Sequence, residues 1–228
     1  VANVSIRSDS RLNTRYSASV NWSGDEAGSW GLNYGLSLDT QPRENLSISV
    51  GPGLRTSYEE AQYVTGVEDP TATATYGRRY VFAGLNRTTL TLDTRVNVTF
   101  TPDLSLQLYL EPFISVGDYG QLREFAEPDS YDFFDYGDEV GTLERNDDGS
   151  YQVDPDGAGP AADFRLSNRD FNYRSLIGNA VLRWEWLPGS TLYLVWQQQR
   201  IDSVTGADDT RNNGWVGDFD LSRDTQDM

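Results

Sequence analysis

The sequence contains no cysteine, no histidine and no lysine. Without cysteine, the chain has neither disulfide bonds nor thiolate ligands for a metal. Without histidine, it lacks the commonest general base and every nucleophile arrangement that depends on an imidazole. These absences argue against conventional hydrolase chemistry, and we expect that the protein is not an enzyme.

Basic charge is scarce as well. Arginine supplies all 18 basic residues against 35 acidic residues, so the formal net charge is -17. Nucleic-acid binding needs a basic surface, and this balance therefore predicts no nucleic-acid partner. Long apolar runs are missing too, because none approaches the roughly 20 residues of a membrane-spanning helix.

The residues that are present alternate between apolar and polar side chains with a period of two, which indicates β-strands. The alternation is clearest from Thr89 to Leu110, where only Thr101–Asp103 interrupts it. Helical periodicity is almost missing. We predict about eight strands, near residues 4–6, 16–22, 30–38, 46–54, 90–100, 104–116, 176–186 and 191–201.

The connections between these strands come in two sizes that alternate along the chain. Short turns are expected at 8–11, 40–45, 101–103 and 187–190, and longer connections at 23–29, 56–87, about 118–170 and, at the C-terminus, about 202–228. Short turns at one end and long extracellular loops at the other are typical of an up-and-down outer-membrane barrel. Residues 118–170 hold 15 acidic and 4 basic residues, so the acidic excess lies in the long connections.

One segment does not fit this scheme as a separate crossing. Tyr76–Leu85 has the pattern of a strand, but a crossing there would place the short turns before and after it on opposite sides of the sheet. We therefore predict that Tyr76–Phe100 is one long strand that bends near Leu85–Arg87. Its predicted partner runs from Leu46 to about Val64, and the pair projects beyond the other strands.

A period of two arises both in a soluble sheet and in a membrane barrel. Strand length favours the barrel: Leu90–Phe100 and Leu104–Ile114 have 11 residues each, close to the roughly 9 to 11 that cross a bilayer. Aromatic residues also cluster at the strand ends, as interfacial girdles do. We predict an all-β, antiparallel transmembrane β-barrel whose lumen is lined by polar side chains, among them Asp93, Arg95, Glu111, Arg183, Glu185 and Gln197.

Two parts of the chain, Arg78–Tyr119 and Asp148–Arg200, resemble the C-terminal barrel of the domain-of-unknown-function family 5916. The similarity is most specific in the segments FTPDLSLQLY, VDPDG, GNAVLRWE and PGSTLYLVW. In that family of large bacterial outer-membrane proteins, an N-terminal domain similar to family 9 carbohydrate-binding modules precedes the barrel. The resemblance implies an outer-membrane location with extracellular loops, and it implies no established activity.

The chain departs from the pattern of that family in two ways. The carbohydrate-binding-like domain and the early strands are missing, and the chain has no final apolar strand with a terminal aromatic residue. Eight strands alone would leave two unpaired edges in lipid, which the membrane does not tolerate. We therefore expect that residues 1–228 form one segment of a larger barrel and that another strand follows.

An aspartate-rich piece from Asn146 to Gly159 is the best candidate for a specific site. Its carboxylates are hard oxygen ligands in a glycine-containing loop, as calcium requires, and they are Asp147, Asp148, Asp154 and Asp156. The spacing and closing glutamate of an EF-hand are missing. The alternative, which we prefer, is that NDDG and DPDG are two turns beside a short hairpin around Tyr151–Val153. No other cofactor is expected.

The segment Tyr131–Glu139 mixes aromatic rings with carboxylates, as sugar-binding surfaces do. Its rings belong to Tyr131, Phe133, Phe134 and Tyr136. A loop that folds inward over the lumen would have a similar composition. Both interpretations stay open at the level of the sequence.

The sequence therefore predicts a protein of the bacterial outer membrane that contacts lipid. Its leading predicted function is the passage or capture of an extracellular nutrient, such as a glycan by analogy with the companion domain of the family. A structural or adhesion barrel that displays binding loops is an alternative from another class. A soluble β-rich carbohydrate-binding module is a third interpretation.

Overall fold

The computed structural model describes residues 1–127 and 130–206. Within this part of the chain the protein is all-β, and its one helix is the three-residue 3-10 turn Thr73–Thr75. No described helix is long and apolar enough to cross a bilayer. The strands are Ala2–Arg7 (β1), Thr14–Gly24 (β2), Trp30–Arg43 (β3), Leu46–Glu68 (β4), Arg78–Thr101 (β5), Leu104–Phe125 (β6), Phe133–Asp135 (β7), Thr142–Arg145 (β8), Tyr151–Asp154 (β9), Phe164–Leu166 (β10), Phe171–Leu187 (β11) and Ser190–Thr205 (β12).

Eight of these strands form one antiparallel sheet in the order β1-β2-β3-β4-β5-β6-β11-β12, and β7 adds to the upper part of β6. This result confirms the all-β class with antiparallel pairing; the eight strands of this order correspond to the eight predicted, and the four short strands β7–β10 were not predicted. The described residues do not close the sheet into a barrel, because β1 and β12 are its two edges. A second, small sheet has the order β10-β9-β8.

The connections follow the predicted alternation of sizes from β3 onward. Two-residue turns at 44–45, 102–103 and 188–189 lie at one end of the sheet, and the connections 69–77 and 126–170 lie at the other. At the start of the chain the connections 8–13 and 25–29 are similar in length, so the alternation does not hold there. Gly189 adopts a positive φ of 80° in the last short turn, where a residue with a side chain would be strained.

The central strands are much longer than their neighbours. β4, β5 and β6 have 23, 24 and 22 residues, and β4 stays paired with β5 up to Glu68 and Arg78. The predicted long strand is thus confirmed, although it begins at Arg78 and its partner continues past Val64. β6 extends to Phe125, so the long connection begins at 126 instead of 118. β12 extends to Thr205, and residues 207–228 of the predicted C-terminal loop lie outside the described residues.

One face of the main sheet is apolar from edge to edge. Directly paired residues share a face, and pairs such as Leu54 with Leu90 and Leu182 with Leu194 continue the apolar stripes across the strands. No second layer of described residues covers this face. Its large exposed side chains are Val4, Ile6, Tyr16, Val20, Trp22, Trp30, Tyr34, Leu36, Leu38, Leu90, Phe100, Leu108, Leu110, Trp184, Trp186, Leu192, Leu194 and Trp196.

The buried core lies elsewhere, at the projecting end of the long strands. It joins β4, β5 and β6 to the long connection through seven buried side chains, which are Val64, Val81, Ala83, Leu122, Tyr136, Val153 and Leu166. The last three belong to residues 130–170, which we call the cap. The cap with the projecting strands therefore has a dry interior, whereas the rest of the sheet has only one layer.

We expect the core and the apolar face to respond differently to truncation. Leu122→Ala opens a cavity in the buried cluster and is expected to lower the free energy of unfolding by about 2 to 5 kcal/mol. Leu194→Ala, the matched control on a side chain that is 64% exposed, is expected to change it by about 0.5 kcal/mol or less. Denaturant unfolding in detergent micelles measures both values, and equal losses would show that the core is placed wrongly.

Candidate functional site

The face opposite the apolar side chains is polar, and it holds all six residues predicted to line a lumen. One row crosses six strands by direct pairing and contains Asp39, Ser49, Arg95, Tyr109, Asn179 and Gln197. Asp93 and Glu111 lie one alternation away from this row on the same face, because each is two residues from a member of it. Arg183 and Glu185 occupy the same face nearer the short turns.

Tyr109 is the centre of a compact charged group on this face. Its hydroxyl lies 2.5 Å from Glu111 Oε2 and 3.3 Å from Asp93 Oδ1, and it donates its one proton to the nearer carboxylate. The Arg95 guanidinium lies over the Tyr109 ring, 5.2 Å from its centroid. The arrangement holds two carboxylates and one cation around an aromatic ring, which suits contact with a polar solute.

The other predicted lumen residues lie apart from this group. Arg183 Nη2 and Glu185 Oε2 form an ion pair at 2.7 Å, and Glu185 Oε1 also accepts a hydrogen bond from the Gly189 N–H at 3.1 Å. This pair therefore fixes the last short turn to the polar face. Gln197 lies across Asn179 from Tyr109 in the same row.

Tyr109 and Asp39 were not among the predicted site residues, although both occupy polar positions of the alternation. Asp39 accepts hydrogen bonds from the Ser37 hydroxyl at 3.3 Å and from the Ser49 hydroxyl. A tyrosine at a polar position of a period-two strand was the available signal, although Phe113, Tyr173 and Tyr193 also lie on this face. The contacts of Tyr109 with Asp93, Glu111 and Arg95 depend on how the strands pair, which the sequence does not show.

The cap packs against the upper part of the same polar face. From Arg79 to Arg95, β5 alternates without interruption, because the extra residues at the register shifts of this part lie in β4 and β6. Arg79, Val81 and Ala83 therefore share the face of Asp93 and Arg95. The buried side chains of the cap contact this face, so the long connection folds inward over it.

Arg79 anchors the cap region electrostatically. Its guanidinium pairs with Asp69 and with Glu124, each at 2.6 Å, and the Tyr136 hydroxyl donates to Glu124 Oε2 at 2.9 Å. Burial alone would lower the pKa of Arg79, but the hydrogen bonds and charges of Asp69 and Glu124 have the larger combined effect and raise it. Burial raises the pKa of Tyr136 above its usual 10.0, and the neighbouring Glu124 charge raises it further, so the phenol stays protonated.

A second ionic group lies on the opposite face of the projecting strands. Arg123 pairs with Glu60 at 2.5 Å and with Asp135 at 3.0 Å. Its guanidinium also lies 5.8 Å from the centroid of the Phe133 ring. Aromatic contacts surround it and link Tyr63, Phe82, Phe125 and Phe133. The cap is thus attached to both faces of the long strands.

The end of the cap is tied to the sheet by the buried Asp170. Its Oδ1 accepts a hydrogen bond from the Tyr119 N–H at 2.7 Å, and its backbone carbonyl accepts one from the Gly206 N–H at 2.7 Å. Asn168 donates to Asp170 Oδ2 at 3.1 Å. One residue therefore joins β6, the cap and the end of β12.

The four rings predicted to form a ligand loop do not form one surface. Tyr131 is 78% exposed and Phe134 is 43% exposed. Phe133 packs against Phe82 and Phe125, and Tyr136 is fully buried. The ring of Tyr136 consequently has no free side for a sugar, and its role in this structure is to join the cap to Glu124.

The four aspartates considered for calcium lie at two separate turns, before and after β9. Asp148 accepts hydrogen bonds from the N–H and hydroxyl of Ser150 and pairs with Arg165, and these hydrogen bonds lower its pKa. Asp154 accepts from the N–H of Gly157 at 2.8 Å. No cluster of three or more carboxylates suited to a metal occurs in residues 1–127 and 130–206. The preferred hairpin interpretation is confirmed by the β8–β9 pairing.

Comparison with known proteins adds no relatives. No family model, no curated protein and no solved structure matches the chain.

The Asp69–Arg79 contact gives a pH-dependent contribution to stability. Burial raises the pKa of Asp69, but hydrogen bonds from Thr71 and Arg79 outweigh burial and lower it below 3.8. A lowered carboxyl pKa gives stability that is present above the unfolded value and is lost as the pH falls through the folded value.

We therefore expect that Asp69→Asn lowers the free energy of unfolding by roughly 1 to 3 kcal/mol at pH 7, less than complete loss of a buried pair because Arg79 keeps Glu124. The difference from the unmodified chain should shrink between about pH 4 and pH 2. Asp138→Asn, on an exposed residue of the cap, is the control and should have little effect at either pH. A difference that persists undiminished at pH 2 would contradict the role of the carboxylate charge.

Proposed function

We propose that the sheet is part of the wall of a bacterial outer-membrane β-barrel, with the apolar face in lipid and the polar face toward an aqueous interior. In this proposal the protein passes or captures an extracellular nutrient, such as a glycan. The cap then lies on the extracellular side, and the short turns lie in the periplasm. Further strands from the rest of the barrel pair with the open edges of β1 and β12.

The observation that carries the proposal is the uncovered apolar face. Full burial of one large apolar side chain stabilises a protein by about 1.5 to 3 kcal/mol, and eighteen such side chains on this face remain partly exposed. Soluble proteins rarely expose a contiguous apolar patch larger than a few hundred Å². Hydrocarbon contact gives these side chains an apolar environment without a second protein layer.

The spacing of the aromatic residues supports the same orientation. Trp22 is level with Thr88 of β5 through Leu32 and Thr56, and Phe100 lies near the short turns. The separation along β5 is roughly 40 Å, and a strand tilt of about 45° reduces it to roughly 30 Å. That distance is close to the thickness of the hydrocarbon core, at whose borders aromatic rings prefer to lie.

The polar face supports an aqueous interior. Charges of both signs, such as Arg95 and Glu111, are costly in contact with lipid and therefore belong on the water side. Aromatic rings lie beside them, and the Phe113 and Tyr173 rings are 5.8 Å apart in an edge-to-face contact. Rings next to hydrogen-bonding side chains suit hydroxyl-rich solutes, which supports a glycan as the nutrient.

A structural or adhesion role is the second candidate, and the packing of the cap favours it. The cap is held by a buried core and by ion pairs at Arg79 and Arg123. If the cap permanently covers the opening of the barrel, the protein displays the cap at the surface and passes no solute.

If the apolar face contacts lipid, arginine substitutions at two adjacent positions of β6 should differ strongly in their cost in folding free energy. Leu108→Arg places a charge on the apolar face near the middle of Leu104–Ile114, the part of β6 expected to cross the bilayer, and is expected to cost about 2 to 4 kcal/mol of folding free energy in phospholipid vesicles. Gln107→Arg, on the polar face one residue away, should cost about 1 kcal/mol or less. Folding titrations into vesicles measure both values. A soluble module would instead stay folded and monodisperse without detergent.

Conductance measurements distinguish a barrel that passes solute from a barrel that only displays the cap. If the barrel is open, the full-length protein in a planar bilayer should produce stepwise currents, and removal of residues 142–166 from the cap should increase their size. A display role predicts insertion without current. Insertion is checked independently by protease protection of the membrane strands, so that a failure to insert is not read as a closed pore.

A further inference from the structure

The polar face carries slightly more positive than negative charges, whereas the whole chain is strongly acidic. Below the buried core, this face carries six arginines and five carboxylates by its strand register, namely Arg7, Arg15, Arg55, Arg87, Arg95 and Arg183 with Asp39, Glu59, Asp93, Glu111 and Glu185. It thus has a third of the 18 arginines but only a seventh of the 35 acidic residues. The distribution concentrates positive charge on one side of an acidic protein.

The carboxylates of this face are mostly engaged by protein groups. Glu185 pairs with Arg183, Asp93 and Glu111 lie within hydrogen-bond distance of the Tyr109 hydroxyl, and Asp39 accepts from two serine hydroxyls. A neutral hydroxyl occupies one acceptor position of a carboxylate and leaves its charge in place, so among the described residues of this face only the charge of Glu185 is compensated by an ion pair.

Most of the described arginines on this face form no ion pair with a carboxylate. Within the described part of the chain, five of the six form no ion pair, and these are Arg7, Arg15, Arg55, Arg87 and Arg95. Carboxylates outnumber arginines about twofold in the sequence, so partners were available. Their guanidinium groups remain able to bind a solute.

These five arginines lie at two levels of the polar face, one near the cap and one around the row of Arg95. Arg55 and Arg87 are diagonal neighbours on β4 and β5 at the upper end. Arg95 lies eight residues further along β5, at a distance of roughly 27 Å. Arg15 is in the same row as Arg95, because it pairs directly with Asp39, and Arg7 and Arg15 line a cavity of about 230 Å³ together with serine hydroxyls and Asp39.

The ion pairs of the projecting strands reduce the negative charge near these arginines. Asp69 and Glu124 share Arg79, and Glu60 and Asp135 share Arg123, so each group keeps a net charge of -1 instead of -2. Charges on the exposed surface of the cap are screened within about 8 Å at physiological ionic strength. Arginines along a water-filled interior with low-dielectric walls act over a longer distance.

We infer that the polar face selects solutes that carry oxyanions, such as phosphate, sulfate or carboxylate groups. A guanidinium group binds two oxygens of such an anion at once, which favours it over a neutral solute of equal size. The arginines offer oxyanion sites at two levels of this face, near the cap and around the row of Arg95. This inference rests on the proposed passage of solute and names the chemical class of that solute.

Selectivity of the full-length protein in a planar bilayer tests the inference. In a KCl gradient, the reversal potential should show preference for chloride over potassium. The triple variant Arg55→Gln, Arg87→Gln, Arg95→Gln should reduce the permeability ratio by about threefold or more. The triple variant Arg11→Gln, Arg43→Gln, Arg169→Gln removes the same charge from exposed positions off this face and should leave the ratio unchanged.

A second measurement uses the unmodified protein and needs no variant to fold. Tripolyphosphate should reduce the chloride current at lower concentration than maltotriose, a neutral solute of similar length. Preference for potassium, equal losses in the two triple variants, or stronger block by maltotriose would each overturn the inference while passage stands. Insertion without any current would overturn passage and the inference together.

Discussion

The regular register of the long antiparallel strands is the constraint on which the rest of the structure depends. Side chains alternate between the two faces, so a slip of one residue would move every side chain of a strand to the other face. Leu108 would then join the charged row, and Arg95 or Tyr109 would enter the apolar face. Because most strands are paired on both sides, such a slip would break the alignment with both neighbours and is therefore strongly disfavoured.

The same alternation explains why one sheet has two different environments along its length. Between Arg79 and Arg95, β5 continues without an extra residue, and the extra residues of this part lie in β4 and β6. Bulges of this kind increase the local twist and bend of a strand. The polar face can therefore change from water-exposed charges around Arg95 to the dry core at Val81 and Ala83 within a single strand, and the cap has an apolar surface on which to fold.

Much of the main sheet was predictable, because long strands with a period of two give a strong and local signal. Strand number, the long projecting strand and the shared face of Arg95, Glu111 and Arg183 all follow from that pattern. The cap was not predictable in the same way, since strands of three or four residues such as Phe164–Leu166 have too little periodicity. The burial of Tyr136 and the pairing of Arg79 depend on contacts between segments far apart in sequence.

The uncovered edge strand β12 affects how the chain behaves in water. Leu192, Tyr193, Leu194, Val195 and Trp196 are consecutive, about half or more exposed, and uncharged. They have high β-propensity without proline, which is the composition of segments that assemble into cross-β fibrils. In water such an edge pairs with further copies of the chain, so β12 is an aggregation-prone segment unless an apolar surface or another strand covers it.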